Sequence, residues 1–201
     1  MKNNILKFGL SMTVALSALL PAAHASALFT LDQDACSGTC GTGPFGTVLL
    51  TQTTSTLVTV TETLSPNERF AGSGAGQALE FKVTGPVTIG SITPGFGLGP
   101  TPATASAFGT FLESVTCIIC QGGKTTNPAG PLTFTVTSAS GVTIADFLAN
   151  TGGYFFASDI VGNNGLTGNT GALGGSSVPE PLSLLLAGTG LLGIGLLRRR
   201  V

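Results

Sequence analysis

Leu132-Thr133-Phe134-Thr135-Val136-Thr137 alternates an apolar side chain with a threonine at every step. Because successive side chains of a β-strand point to opposite faces, this period of two predicts a strand with one buried face and one exposed face. The same alternation occurs at Val58-Thr59-Val60-Thr61 and at Leu79-Glu80-Phe81-Lys82-Val83-Thr84. These stretches predict a fold that is built mainly from β-strands.

Short strands separated by glycine and proline are typical of a β-sandwich. A long loop is expected over residues 94–109, and a last strand is expected within residues 154–161. Thr143 and Asp146 have the spacing of a capping box, which predicts a short helix that begins at Thr143. The expected fold is therefore mostly β, with a single β-sandwich-like domain and one short helix over residues 28–161.

The first residues have the layout of a secretory signal peptide. A basic patch precedes an apolar run at residues 8–20, and small residues follow it. Two overlapping A-x-A sites allow cleavage after Ala25 or after Ala27; cleavage after Ala27 is preferred, so the signal peptide is assigned to residues 1–27. An uncleaved anchor is disfavoured because the apolar run is shorter than the ~20 residues that span a bilayer.

The chain ends with a second apolar segment, at residues 182–197, which contains no charged residue. As a helix, its 16 residues would be about 24 Å long at ~1.5 Å per residue. That length is just short of a ~30 Å hydrocarbon core, and snorkelling arginines can make up the difference. The cluster Arg198-Arg199-Arg200 would stay in the cytoplasm, so the preceding domain is expected on the far side of the inner membrane.

The segment Val178-Pro179-Glu180-Pro181, the apolar helix and the terminal arginines together resemble the PEP-CTERM sorting signal, which assigns residues 178–201 to it. In that family of exported Gram-negative proteins the tail is the substrate of exosortase, a membrane-embedded transpeptidase-like enzyme encoded alongside exopolysaccharide synthesis. The resemblance implies cleavage near Pro179-Glu180-Pro181 after export. A permanent single-span anchor is the alternative that hydropathy alone allows.

Residues 162–177 connect the expected domain to this tail. They are mainly Gly, Asn, Thr and Ser, and they show neither charge nor periodicity. They are therefore interpreted as a flexible linker, which as a random coil would reach about 20–24 Å.

Composition excludes several classes of function. Residues 28–177 contain three basic and eight acidic residues, a net charge of −5 that disfavours nucleic-acid binding. The only histidine, His24, is lost with the signal peptide, so catalysis that depends on an imidazole is excluded. Trp is absent and Tyr154 is the only tyrosine, so aromatic platforms for sugars are scarce.

Four cysteines remain after processing: Cys36, Cys40, Cys117 and Cys120. An even number in an oxidising compartment predicts two disulfides. Local pairing, Cys36 with Cys40 and Cys117 with Cys120, is preferred over crossed pairing, and it requires the Cys117–Cys120 segment to turn. A zinc site of four thiolates and thiol redox chemistry are the alternatives.

A calcium site could form from Asp32 and Asp34 together with Glu62 or Glu68. The spacing of an EF-hand loop is broken after Asp34, so solvated surface carboxylates are the preferred interpretation. No metal site is assigned.

Glu80 and Glu113 could form the carboxylate pair that glycoside hydrolysis needs. Any eight acidic residues offer such pairs, so no catalytic residue and no cofactor are assigned, and the protein is expected not to be an enzyme.

The resemblance implies an exported, exosortase-sorted protein of the cell surface or extracellular matrix, with a structural or adhesive role linked to exopolysaccharide or biofilm. Its expected partners are the processing enzymes signal peptidase and exosortase, and exopolysaccharide. It is expected to contact the inner membrane only transiently and to bind no nucleic acid. The alternative function is a carbohydrate-binding module that recognises the exopolysaccharide.

Overall fold

The computed structural model describes residues 25–36, 40–73 and 76–178. Residues 1–24 of the predicted signal peptide (residues 1–27) and the whole predicted transmembrane segment (residues 182–197) lie outside the described residues. Within those ranges no helix is long and apolar enough to cross a membrane.

The described ranges contain fifteen strands and one short 3-10 helix. The strands are β1 (Ser26–Leu31), β2 (Gln33–Asp34), β3 (Gly46–Thr54), β4 (Leu57–Leu64), β5 (Arg69–Phe70), β6 (Leu79–Phe81), β7 (Thr88–Gly90), β8 (Phe96–Leu98), β9 (Ala103–Ala105), β10 (Gly109–Phe111), β11 (Glu113–Cys117), β12 (Leu132–Thr137), β13 (Phe156–Val161), β14 (Thr167–Ala172) and β15 (Gly175–Val178).

Thirteen of the strands form two stacked sheets, and β9 and β10 form a separate hairpin, so the predicted mostly β, sandwich-like fold is confirmed. The first sheet has the order β15-β1-β3-β4-β12-β7. The second has the order β2-β14-β13-β6-β11-β8, with β5 also paired to β13. Neighbouring strands are antiparallel throughout both sheets.

A core of aliphatic and phenylalanine side chains fills the space between the sheets. The stretch that alternates most cleanly, β12, buries Leu132, Phe134 and Val136 and leaves its threonines half-buried. The Phe134 ring stacks on Phe81 of the opposite sheet at a centroid distance of 5.5 Å. Burying such a side chain contributes roughly 1.5–3 kcal/mol, so the packing of these rings stabilises the contact between the two sheets.

A second, smaller core lies on the outer face of the second sheet. Phe108 and Phe111, from the β9–β10 hairpin, pack there on Ala157 of β13. Phe156 and Ile160 of the same strand face the main core, so β13 is buried on both faces. The prediction of a long loop over residues 94–109 is therefore wrong. This stretch contains the short strands β8 and β9, whose small residues show no clear apolar alternation.

The prediction of a flexible linker at residues 162–177 is also wrong. β14 pairs with β13 over its whole length, and β15 pairs with β1 at the edge of the first sheet. The strand expected at residues 154–161 is thus followed by two more. The folded domain extends from Ser26 to Val178 and exceeds the predicted range of 28–161 at both ends.

Glycine is frequent in β14 and β15 because other groups approach their backbones closely. A Cβ on Gly168 would lie 2.1 Å from Cys36 Sγ, and one on Gly175 would lie 2.6 Å from the ring of Phe29. Real Cβ atoms do not tolerate such distances. These glycines therefore mark close packing within a strand, one of the recognised roles of glycine in sheets.

The short helix predicted at Thr143 is present as a single 3-10 turn, Ile144–Asp146. The Asp146 carboxylate accepts hydrogen bonds from the Thr143 N–H at 2.7 Å and the Thr143 hydroxyl at 2.8 Å. The turn packs beside β3, where Gln52 Oε1 accepts the Ile144 N–H.

Candidate functional site

The two ends of the folded domain lie side by side. Ser26 of β1 is directly opposite Val178 of β15, and on its other side it is opposite Thr51 of β3. In antiparallel strands, the chain before Ser26 and the chain after Val178 leave at the same end of the sheet. We call this the terminal end of the sandwich; it also contains the β3–β4 turn at Ser55-Thr56.

Val178 is the one residue of the predicted sorting motif that the structure describes. Pro179-Glu180-Pro181 and the Arg198-Arg199-Arg200 cluster lie outside the described residues. No loop separates β15 from the motif, because β15 ends at Val178 and the next residue is Pro179. An enzyme or membrane that binds the tail is therefore directly connected to the edge strand of the first sheet.

Both disulfides brace the opposite end, which we call the distal end. The preferred local pairing is the one observed, Cys36 with Cys40 and Cys117 with Cys120, at Cα–Cα distances of 5.6 and 5.4 Å. A zinc site of four thiolates is thus incompatible with the state of these cysteines, since all four sulfurs are in disulfide bonds. Asp34 lies near Cys36 and Cys40, but oxidised sulfurs are not thiolate ligands.

The Cys117–Cys120 segment turns as its pairing requires. The N–H groups of Ile118 and Ile119 both donate to the carbonyl of Gly95, at 2.9 and 3.3 Å. The two isoleucine side chains are 68% and 57% exposed. The disulfide thus presents two large apolar side chains on a short, constrained turn at the distal end.

An open groove of about 810 Å³ lies at the terminal end, beside the β3–β4 turn. Hydroxyl groups dominate its polar lining, which comprises Thr54, Thr56, Thr88, Thr137, Ser138 and Ser140. The remaining lining residues are apolar, and none is charged. This surface could exchange hydrogen bonds with a neutral polar ligand.

The two acidic combinations that the sequence left as alternatives, a calcium site and a carboxylate pair, do not assemble. Glu62 and Glu68 are both buried, whereas Asp32 and Asp34 are exposed, and in the described part of the chain neither glutamate joins the two aspartates in a cluster of possible metal ligands. Glu80 and Glu113 lie on adjacent strands, but Glu80 is opposite Ser114 and Glu113 is opposite Phe81. Because cross-strand partners share a face and neighbouring residues alternate, the two glutamates point to opposite faces and cannot act on one bond.

Glu62 is a buried acid in the main core. Burial raises the pKa of Glu62 well above its ordinary value, and nearby Ser158 offsets only part of the rise. Neither carboxyl oxygen has a hydrogen-bond partner, and the Ser158 hydroxyl donates to the Ala78 carbonyl at 2.8 Å. Burial therefore favours the protonated form of this carboxyl, because an unpaired buried charge is far more costly.

The outer face of the second sheet holds a different acidic pair, Glu80 and Asp159. Glu80 is opposite Ala157 of β13, and Asp159 is two residues farther along the same face. Burial and the charge of Asp159 raise the pKa of Glu80 to about 7, against hydrogen bonds from the N–H groups of Gln77 and Ala105. Burial raises the pKa of Asp159 to about 6, against hydrogen bonds from Ser73.

The segment that leads into β6 covers this pair; Ser73, Gly76 and Gln77 are its described residues nearest the pair. The Ser73 N–H donates to Asp159 Oδ2 at 3.0 Å, and the Ser73 hydroxyl donates to the same oxygen at 2.9 Å. The Gln77 N–H donates to Glu80 Oε1 at 3.3 Å, and the Asp159 N–H donates to the Gln77 carbonyl.

Sequence reasoning missed Asp159 as a partner of Glu80. The pairing of β6 with β13 joins segments almost eighty residues apart, and neither segment carries a motif that signals the other. The sequence Asp159-Ile160-Val161 is typical of an ordinary strand, so nothing in it marks Asp159 as part of a site.

The aromatic residues offer little surface for stacking. Ten of the eleven phenylalanines in the described residues are buried, and Phe155 is half-buried. Tyr154 packs edge-on against Phe108 at a centroid distance of 4.8 Å. An aromatic sugar platform is therefore not formed by this part of the chain.

A family model of the PEP-CTERM protein-sorting motif matches residues 177–200. The predicted resemblance is confirmed: this is a protein with a PEP-CTERM sorting motif, the mark of an exported protein that exosortase processes and sorts to the cell surface. The match begins within β15, so the motif follows the folded domain without a spacer. No curated protein and no solved structure matches the chain significantly.

Proposed function

We propose that this PEP-CTERM protein is a small structural component of the cell surface or exopolysaccharide matrix, released from the inner membrane by cleavage at its sorting motif and without enzymatic activity of its own. The observation that carries the proposal is the direct junction between β15 and the motif. Because the folded domain ends directly at the sorting signal, the signal is held at the domain surface, and the domain is the part of the protein that is sorted.

The arrangement of the ends supports this role. Both predicted membrane segments leave the terminal end, since Ser26 is opposite Val178. While the tail is inserted, the terminal end faces the membrane and the distal end faces outward. The outward end is the one that the two disulfides brace, as suits a protein exposed to an oxidising exterior.

The proposal is tested by the intact mass of the protein recovered from the native host's surface and medium. Release predicts a species that ends near Pro179-Glu180-Pro181 and lacks residues 182–201. A variant with Pro179→Ala, Glu180→Ala and Pro181→Ala should accumulate with its tail attached in the membrane fraction. A wild-type species that still carries residues 182–201 at steady state would overturn release and leave a membrane-anchored protein.

The matrix role needs a separate measurement. A host that lacks this chain should retain less exopolysaccharide on its cells, and the wild-type chain should restore it. The uncleaved triple variant serves as the matched control and should not restore it. Equal retention in all strains would exclude a structural role in the matrix.

The second candidate function, a carbohydrate-binding module, now rests on the hydroxyl-lined groove at the terminal end. Direct binding of exopolysaccharide fragments by the released protein would favour it. Binding should then weaken on replacement of Thr88 or Thr137 by valine, which keeps the shape and removes the hydroxyl. Unchanged binding in both variants would exclude this groove.

A further inference from the structure

We propose that Asp159, Asn169 and Glu80 form a binding site for one calcium ion on the outer face of the second sheet, beneath the segment that leads into β6. This inference goes beyond the proposed function and does not depend on it.

The first two residues are direct neighbours. Asp159 of β13 is opposite Asn169 of β14, so their side chains emerge side by side from one face. A Cβ built on Gly76 would lie 2.8 Å from both Asn169 Oδ1 and Asp159 Cγ. Both side chains therefore pack against the backbone of Gly76, which only a glycine allows to come so close.

Two of the oxygens in this place have no partner. Asn169 is only 9% exposed, and its Oδ1 accepts no hydrogen bond. Glu80 is 1% exposed, and its Oε2 likewise accepts none. Leaving a buried acceptor unpaired costs about 1–3 kcal/mol, and native structures rarely contain several together. A bound cation would satisfy both atoms at once.

The donor set favours calcium over the other common metal ions. All its atoms are oxygens, from two carboxylates and one amide, with the Ser73 hydroxyl beside Asp159. Hard cations take such ligands, and calcium accepts the irregular geometry of side chains from separate strands and a covering loop. Zinc prefers the imidazole nitrogen of histidine and the thiolate of cysteine, and none of these residues is a histidine or a cysteine.

The electrostatics agree with the geometry. Burial raises the pKa of both carboxyls, and the charge of Asp159 raises the pKa of Glu80 further. A divalent ion would bind the ionised forms and therefore release protons when it binds near neutral pH. No basic residue is paired with either carboxylate, and of the three in the described ranges Arg69 donates to the Asn127 carbonyl and Lys124 to Gln121.

The test uses the full chain, purified in detergent, stripped with EGTA and titrated with CaCl2 at pH 7 in a calorimeter. We expect about one ion bound per chain, with proton release shown by a dependence of the heat on the buffer. The midpoint of thermal unfolding should rise with calcium concentration. A folded chain that takes up no calcium would overturn the proposal, and the cluster would then act only as a polar clamp on the covering segment.

Variants locate the site. Asp159→Asn should abolish uptake, and Asn169→Ala should weaken it roughly tenfold or more, since each removes an oxygen ligand. Glu113→Gln is the matched control, because Glu113 lies on the other face of the same sheet and should leave uptake unchanged. If the Asp159→Asn variant does not fold, calcium uptake by the Asn169→Ala variant tests the assignment. Uptake that is equal in Asn169→Ala and the wild type would place the ion elsewhere and contradict the assignment.

Discussion

Ser26 and Val178 face each other across the pairing of β1 with β15, and β1 also pairs with β3 from Ser26 onward. The first residue of the folded domain is thereby held between two strands. Ala27 packs against the main core. The integrity of the terminal end therefore depends on where the signal peptide is removed.

We expect signal peptidase to cut after Ala25, not after Ala27 as the sequence alone favours. The earlier cut leaves β1 complete, whereas the later cut removes two of its six residues and their hydrogen bonds to both neighbours. N-terminal sequencing of the exported protein checks the prediction. A mature chain that starts at Leu28 would contradict it.

The close approaches of β14 make a prediction about stability. Gly168→Ala should destabilise the domain by about 1–3 kcal/mol, because the new methyl group overlaps the Cys36–Cys40 disulfide. Gly174→Ala is the matched control, since a Cβ there meets nothing within 4 Å, and it should change stability little. Urea unfolding of the two variants measures the difference. Equal stability of both would restore the interpretation of this region as a flexible linker.

These glycines also explain which parts of the fold can be predicted from the sequence. β4, β6 and β12 combine apolar residues with Thr or Glu, so the period of two is visible. β14 reads TGNTGA and β15 reads GSSV, and their small residues carry almost no hydrophobic signal. Their strand character comes from tertiary contacts that a local pattern cannot contain.

The candidate site also depends on tertiary contacts that the local sequence does not show. Glu80 can be singled out as an acidic residue in a strand, but its partner depends on which strands become neighbours. Pairing with β11 places Glu113 on the opposite face, and pairing with β13 brings Asp159 to the same face. The register of long-range strand pairs decides this, and no spacing in the sequence encodes it.

The buried carboxyls predict that stability falls as the pH rises when divalent cations are absent. A carboxyl whose pKa is higher in the folded state than in the unfolded state stabilises the fold only while it is protonated. For Glu80 this contribution is complete below pH 4.5 and is lost as the pH rises through its folded pKa of about 7. For Asp159 the corresponding limits are 3.8 and a folded pKa of about 6.

The effect can be measured by urea unfolding in EGTA at pH 4.5 and at pH 8. At ~1.4 kcal/mol per pKa unit, Glu80 alone should account for about 3 kcal/mol of the loss. Glu80→Gln should remove that part of the pH dependence, whereas Asp32→Asn, at an exposed position, should leave it intact. Greater stability of the wild type at pH 8 than at pH 4.5 would show that the carboxyls are not buried as described.

The disulfides should stabilise the domain moderately, because each closes a short loop. Their sequence separations are 4 and 3 residues, for which the loss of chain entropy on cross-linking corresponds to roughly 2 kcal/mol each. Replacing Cys117 and Cys120 together by serine should therefore lower the free energy of unfolding by about that amount. A gain of about 4 Da on reduction of the wild type checks that both bonds are present. A mass that does not change on reduction would contradict both bonds.

The pairing of β15 with β1 can be tested with an engineered cross-link. Leu28 is directly opposite Ser176, and residues so placed in antiparallel strands have Cα atoms about 4.5–5.5 Å apart, within reach of a disulfide. Leu28→Cys combined with Ser176→Cys should therefore form a third disulfide, visible by peptide mapping without reduction. Thr30→Cys with Ser176→Cys is the matched control: Thr30 lies two residues along the same face, so this pair should cross-link far less. Equal cross-linking of both pairs would mean that β15 has no fixed register on β1, and the sorting motif would then be attached to a loose end and not to the edge of a sheet.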